Sequence, residues 1–164
     1  RPTFDWPPER VAYLVAGGEG ALMSAVENAE DDVKAAKRGV EALNLSASDI
    51  LIALSASGGT PFTCAAVDRA VPTGALTIGI ANNDPSPLLS VAKMAVPIIT
   101  GAEAVAGSTR LKAATAQKIC LNMISTLVMT RLGNVKDGQM VAMKPSNAKL
   151  RARYDRIHRG GDTG

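Results

Sequence analysis

Four short apolar runs recur along the chain: VAYLVA (11–16), ILIAL (50–54), ALTIGI (75–80) and AVPII (95–99). Each is the length of a strand and none alternates with polar residues. That pattern belongs to strands buried on both faces of a parallel sheet. The last run contains Pro97, which cannot donate to a ladder, so it is placed at the sheet edge. Helical stretches separate the runs. Residues 20–43 read as one long or two short helices, with Asp31 and Asp32 able to cap the second. Further helices are expected over 61–70, 87–92 and 110–132, the last closed by Gly133 at its C-cap. Strand and helix in alternation predict an α/β domain with right-handed crossovers between parallel strands.

At 164 residues the chain has room for one domain with a real core. We expect that domain over residues 1–145. A basic helix capped by Ser146 and a tail are expected over 146–164, with RGGDTG (159–164) disordered. The helix over 110–132 is apolar around most of its circumference from Ile119 onward. Such a helix needs cover on nearly all sides, and a dimer contact is the favoured expectation.

Composition removes several function classes. Hydrophobic residues make up 46% and charged residues 20%, as in a folded globular protein. No apolar run approaches the roughly 18 residues of a membrane span, so no membrane partner is expected. The net charge of +3 is gathered partly in Lys149, Arg151, Arg153, Arg156 and Arg159, but aromatic residues are only 3%. Little is offered for bases to stack on, and no nucleic-acid partner is expected. Cys64 and Cys120 lie far apart without a Cys-x-x-Cys, reading as buried free thiols in a reducing cytoplasm. His158 is the sole histidine, which supports neither a histidine metal site nor a Ser-His-Asp triad. No metal and no organic cofactor is expected.

The second strand runs into Ser55-Ala-Ser-Gly-Gly-Thr-Pro61. Ligands of open α/β sheets sit beyond the carboxyl ends of the strands. Thr60 is placed as N-cap and Pro61 as the first helical residue. Gly58 and Gly59 allow close backbone approach, while Ser55, Ser57 and Thr60 add hydroxyls to a helix N-terminus, a combination suited to phosphate. On spacing alone, an ordinary capped turn fits equally well. Neither nucleotide-binding glycine pattern is present. A second polar loop follows the fourth run, with Glu103 ahead of a Ser108-Thr109 cap and Lys112 one turn into the helix. Together the strand ends favour a phosphorylated small molecule.

SASGGTP resembles the Ser-x-Ser-Gly-x-Thr phosphate loop of sugar isomerase (SIS) domains. The segment GAEAVAGSTRLKAATAQKICLNMISTLVMTRLG is similar to the signature of one SIS family, the N-acetylmuramic acid 6-phosphate etherases. RPTFDWPPE, LVAGGEGALMSAVENAEDD, GALTIGIANND and PSNAKLRAR extend the likeness over nearly the whole chain. The resemblance implies a three-layer fold with a flavodoxin-like parallel sheet flanked by helices. It also implies a lyase that removes D-lactate from the C3 ether of N-acetylmuramic acid 6-phosphate, leaving N-acetylglucosamine 6-phosphate. Relatives include the glucokinase regulatory protein, so a non-catalytic sugar-phosphate sensor is the alternative. An isomerase is more distant, because ring opening normally wants a histidine and His158 is poorly placed.

The family's chemistry needs an acid for the departing ether oxygen and a base for the C2 proton or the incoming water. By resemblance one of these carboxylates is Glu30. Spacing of Leu22, Val26 and Glu30 on one helical stripe would set Glu30 at the rim of a buried face; a structural ion pair or a helix-end charge is the alternative. Ser55, Ser57, Gly58, Gly59 and Thr60 would bind the phosphate, with Glu103, Ser108, Thr109 and Lys112 lining the site. Two positions depart from the family: Gly59, where Arg is common, and Ala114, where Gly is common. The second family glutamate lies upstream of the segment matching RPTFDWPP. In a flavodoxin-like order the runs found here correspond to the second to fifth strands. We therefore expect a preceding segment of the same gene product to supply the central strand and that glutamate. Without it the 164 residues should neither fold stably nor turn over substrate.

Overall fold

The computed structural model describes residues 4–142 and 144–159. Three of the four apolar runs form strands: β1 (Ile50–Ser55), β2 (Leu76–Ala81) and β3 (Met94–Pro97). They make one parallel sheet in the order β1-β2-β3. Ile50 pairs with Leu76 through to Ser55 with Ala81, and Ile78 pairs with Met94 through to Ala81 with Pro97. Pro97 closes the outer strand, where its missing N–H is tolerated.

Both crossovers step the same way across the sheet, so right-handedness puts α2 (Pro61–Ala70) and α3 (Pro87–Val91) on one face. Packing agrees, because Ala53, Val67 and Leu88 form a buried cluster with Leu51, Cys64 and Ala92 against it. Above α2 lies α1 (Val33–Ala42), whose Ala36 and Val40 pack with Phe62, Ala65, Ala66 and Ala70. Asp32 caps α1, its Oδ1 accepting from Ala35 N at 2.8 Å. On the opposite face of the sheet Ile80 is fully buried, whereas Ile50 at the β1 side is 61% exposed.

The chain divides into two compact units. Tyr13–Ile119 holds the sheet, α1 to α3 and the first turns of α4 (Lys112–Arg131); the described residues before Tyr13 and after Ile119 form the other. In the latter, α4 ends as expected at Gly133, which has φ of +81°. Gly133 N donates to Thr130 O and Asn134 N to Met129 O, the paired bonds of a Schellman motif. A hairpin of β4 (Val135–Lys136) and β5 (Gln139–Met140) follows, turning at Asp137 and Gly138, both left-handed. The basic helix α5 (Ala148–Arg159) forms. Its cap, however, is Asn147 rather than Ser146: Asn147 Oδ1 accepts from Leu150 N at 2.9 Å. Of the expected disordered RGGDTG, residues 160–164 lie outside the described residues.

Two further expectations fail for physical reasons. The run 11–16 pairs with no strand among the described residues. Leu14 instead packs on α1 at Gly39, where a Cβ would lie 2.4 Å from Leu14 Cδ1. Gly17 and Gly18, at φ of +80° and +70°, then turn the chain away. An apolar run fits the surface of a helix as well as a sheet, and strand character is decided by a partner. With no strand at 11–16, β1 is an edge strand of the sheet among the described residues. The second failure is the helix over 20–32. Asn28 adopts a left-handed conformation at φ of +57°, and the segment forms separate 3-10 turns at Glu19–Leu22 and Ala29–Asp31.

Candidate functional site

The hydroxyl loop is built where β1 delivers Ser55 to the carboxyl edge of the sheet. Ser55 is buried, and its Oγ lies 2.9 Å from Thr60 Oγ1 and 3.3 Å from Ser57 Oγ. It also accepts from Gly58 N at 3.0 Å, while Ser57 Oγ accepts from Gly59 N at 3.1 Å. The five predicted residues Ser55, Ser57, Gly58, Gly59 and Thr60 are thus one hydrogen-bonded group. The geometry differs from a simple capped turn in one respect. Thr60 occupies the N-cap position of α2 with Pro61 behind it, yet its side chain does not cap the helix. Turned back to Ser55, it leaves the first-turn N–H groups of α2 without a side-chain acceptor.

Gly58 is required by conformation and by space. Its φ is +70°, and a Cβ would lie 2.3 Å from Ser86 Oγ and 3.0 Å from Ala81 Cβ. From behind, Leu88 N donates to Gly58 O at 2.8 Å, and Asn83 Nδ2 to Ser57 O at 3.3 Å. Gly59 is open by comparison, its nearest neighbour being Ser57 Oγ at 3.8 Å. Cys64 lies beneath, and burial pushes its thiol pKa up.

The second polar group centres on the start of α4. Glu103 Oε2 accepts from Lys112 N at 3.1 Å and Oε1 from Ala113 N at 3.0 Å. These two backbone bonds, Ala113 first, with a smaller contribution from the Lys112 charge, hold its carboxyl below the usual range. Glu103 therefore does the capping expected of Ser108 and Thr109. Their recorded bonds are main-chain: Ser108 N to Val105 O, and Ala114 N to Thr109 O. With two oxygens the Glu103 carboxylate reaches two N–H groups at once, where a hydroxyl would meet one. Lys112 Nζ donates to Ala102 O at 2.7 Å. Lys112 also lines an open depression of about 460 Å³ with Thr100, Leu111, Thr115, Ala116 and Ile119.

Glu30 departs from its expected setting. It lies in the 3-10 turn Ala29–Asp31 and is exposed, while Val26 and Leu22 are 46% and 72% exposed. No buried stripe runs beneath it, since the helix that would create one is broken at Asn28. The turn packs against α2, but Glu30 makes no hydrogen bond to the other candidate side chains among the described residues.

Asn82 and Gln117, which are not among the expected site residues, lie between the two groups. Asn82 Nδ2 donates to Ile98 O, and Asn82 Oδ1 accepts from Gln117 Nε2, each at 2.8 Å. The available signal was an Asn at the carboxyl end of an apolar run. Among the described residues, no group of three or more His, Cys, Asp or Glu is placed to hold a metal, and no helix is long and apolar enough to cross a membrane.

Known proteins are similar to this chain in sequence. The sequence profile of the glucokinase regulatory protein N-terminal SIS domain matches residues 3–71. The N-acetylmuramic acid 6-phosphate etherase of Deinococcus radiodurans is 50% identical over 156 residues, covering 95% of this chain and 51% of the relative. The etherase of Streptomyces coelicolor is 47% identical over 95% of this chain and 50% of its own length. That of Shouchella clausii is 45% identical over 96% and 53%. Among solved structures, the Vibrio vulnificus NanR protein complexed with ManNAc-6P aligns with a TM-score of 0.45 and 15% identity, covering 79% of this chain and 42% of that one. The chain spans about half the length of the curated relatives it matches, and over that span it is similar to N-acetylmuramic acid 6-phosphate etherases.

Proposed function

We propose that this chain carries the phosphosugar-binding part of a lyase that converts N-acetylmuramic acid 6-phosphate and water to N-acetylglucosamine 6-phosphate and D-lactate. The observation that carries the reading is the hydroxyl group of Ser55, Ser57 and Thr60 at an uncapped helix N-terminus, in a chain 45–50% identical to etherases over nearly its whole length. The phosphate sits at Ser55, Ser57, Gly58, Gly59 and Thr60 and receives N–H groups from the first turn of α2. Glu103, Ser108, Thr109 and Lys112 line the side toward α4. Glu30 is one of the two carboxylates, and its exposure leaves it open to substrate. The other comes from a further segment of the same gene product. No metal or organic cofactor takes part.

The enzyme acts in the cytoplasm, in recycling of cell-wall amino sugars, as a homodimer. Ile119, Met123 and Leu127, one turn apart on α4, are all more than half exposed in the single chain and suit a subunit contact. The test is lactate release from N-acetylmuramic acid 6-phosphate by the full-length protein. Ser57→Ala and Thr60→Val should each weaken binding of N-acetylglucosamine 6-phosphate by about tenfold, the worth of one charge-assisted hydrogen bond. Sugar-phosphate binding without lactate release would favour the regulatory alternative, and unchanged affinity in both variants would remove the phosphate from this loop.

A further inference from the structure

Asn82 stands one residue beyond β2 and is 8% exposed. Three hydrogen bonds leave it for three different elements. Its backbone N–H donates to Ala56 O at 3.0 Å, inside the hydroxyl loop. Its Nδ2 donates to Ile98 O at 2.8 Å, where β3 passes into the loop that carries Glu103. Its Oδ1 accepts from Gln117 Nε2 at 2.8 Å, in the second turn of α4. The orientation of this carboxamide is not free. Nδ2 must face the Ile98 carbonyl, so Oδ1 faces α4, and the group at 117 must be a donor. The two polar groups share no direct hydrogen bond among the described residues, so this part-buried relay is the polar connection between them.

We infer that Asn82 and Gln117 are positioning residues: they set the spacing between the hydroxyl loop and the Glu103–Lys112 helix start so that one phosphosugar reaches both. The inference rests on the proposed phosphate site at residues 55–60. A small anion uses the loop alone and does not sense the spacing. A sugar phosphate spans both groups and does.

The experiment uses the full-length protein with two probes, inorganic phosphate and N-acetylglucosamine 6-phosphate, titrated by calorimetry. Gln117→Glu sets acceptor against acceptor and should weaken the sugar phosphate by about tenfold or more, with inorganic phosphate changed by less than about threefold. Gln117→Lys keeps a donor at similar length and should retain the wild-type ratio between the two probes. In Asn82→Asp the new carboxylate faces the Ile98 carbonyl, and only its protonated form can replace the Nδ2 donor. Its deficit relative to wild type should therefore narrow as pH falls from neutral into the mildly acidic range. Equal loss for both probes, no loss for either, or identical behaviour of Gln117→Glu and Gln117→Lys would overturn the positioning role. Inorganic phosphate binding unaffected by Ser57→Ala would instead overturn the phosphate site, and this inference with it.

Discussion

Replacing Gly58 by Ala tests the architecture of the hydroxyl loop. Two independent penalties apply. At φ of +70° an L-residue sits in the left-handed region, costing roughly 1–2 kcal/mol. The added Cβ would also lie 2.3 Å from Ser86 Oγ and 2.5 Å from Ser86 Cβ. Ser86 is 6% exposed and packed behind the loop, and overpacking of this kind costs roughly 1–3 kcal/mol. The sum is about 2–5 kcal/mol, a large share of a domain stability of roughly 5–15 kcal/mol.

A urea titration of the full-length protein followed by circular dichroism measures this loss directly, and Gly59→Ala is the internal control. Gly59 has open space and no left-handed requirement, so its change should stay within about 0.5 kcal/mol. Ser86→Gly removes both clashing atoms and leaves the backbone strain. A double-mutant cycle should therefore show Gly58→Ala and Ser86→Gly coupled favourably by about 1–3 kcal/mol. Gly58→Ala as mild as Gly59→Ala, or a cycle without coupling, would refute the reasoning.

Three further outcomes are expected. Gly59→Arg, which installs the residue common in the family, should fold as wild type and bind N-acetylglucosamine 6-phosphate at least as tightly in calorimetry; a loss of folding would show that the position is not open. The depressed pKa of Glu103 in the folded chain means that its contribution to stability is present above the unfolded-state pKa and is lost as pH falls through the folded one. Glu103→Gln should flatten that acid limb of the stability profile, and an unchanged limb would assign it to other groups. Leu127→Glu should convert the proposed dimer to a smaller species in light scattering, whereas an unchanged mass would place the subunit contact elsewhere.

Local signals in the sequence are legible and long-range ones are not. Helix α2 was legible to the residue because Thr-Pro fixes its start and an apolar stripe fixes its face. β1 to β3 are legible because each is a continuous apolar run, although only β2 is largely buried. VAYLVA carries the same local signal, yet its fate depends on α1, whose Gly39 leaves a place for Leu14. The helix expected through Glu30 failed at Asn28, whose left-handed backbone no periodicity of Leu22 and Val26 discloses. Within the site, the hydroxyl loop is contiguous in sequence and was found as a unit. The cap of α4 comes from Glu103, nine and ten residues before the amides it serves. The Asn82–Gln117 bond joins residues 35 apart. Spacing rules do not reach that far.

The small residues of β2 connect these scales. Thr77, Gly79 and Ala81 alternate on the face toward α3, as the pleat requires. Thr77 Oγ1 accepts from Lys93 N at 3.0 Å just beyond α3. At Gly79 a Cβ would lie 2.9 Å from Ala92 Cβ and 3.0 Å from Leu88 O, so α3 rests almost on the strand backbone. That closeness lets Leu88 N–H reach Gly58 O and packs Ser86 behind the loop. A larger residue at 79 would push α3 outward and withdraw the support from Gly58, although residue 79 belongs to neither polar group. The glycine in ALTIGI thus serves the hydroxyl loop through the helix that it admits.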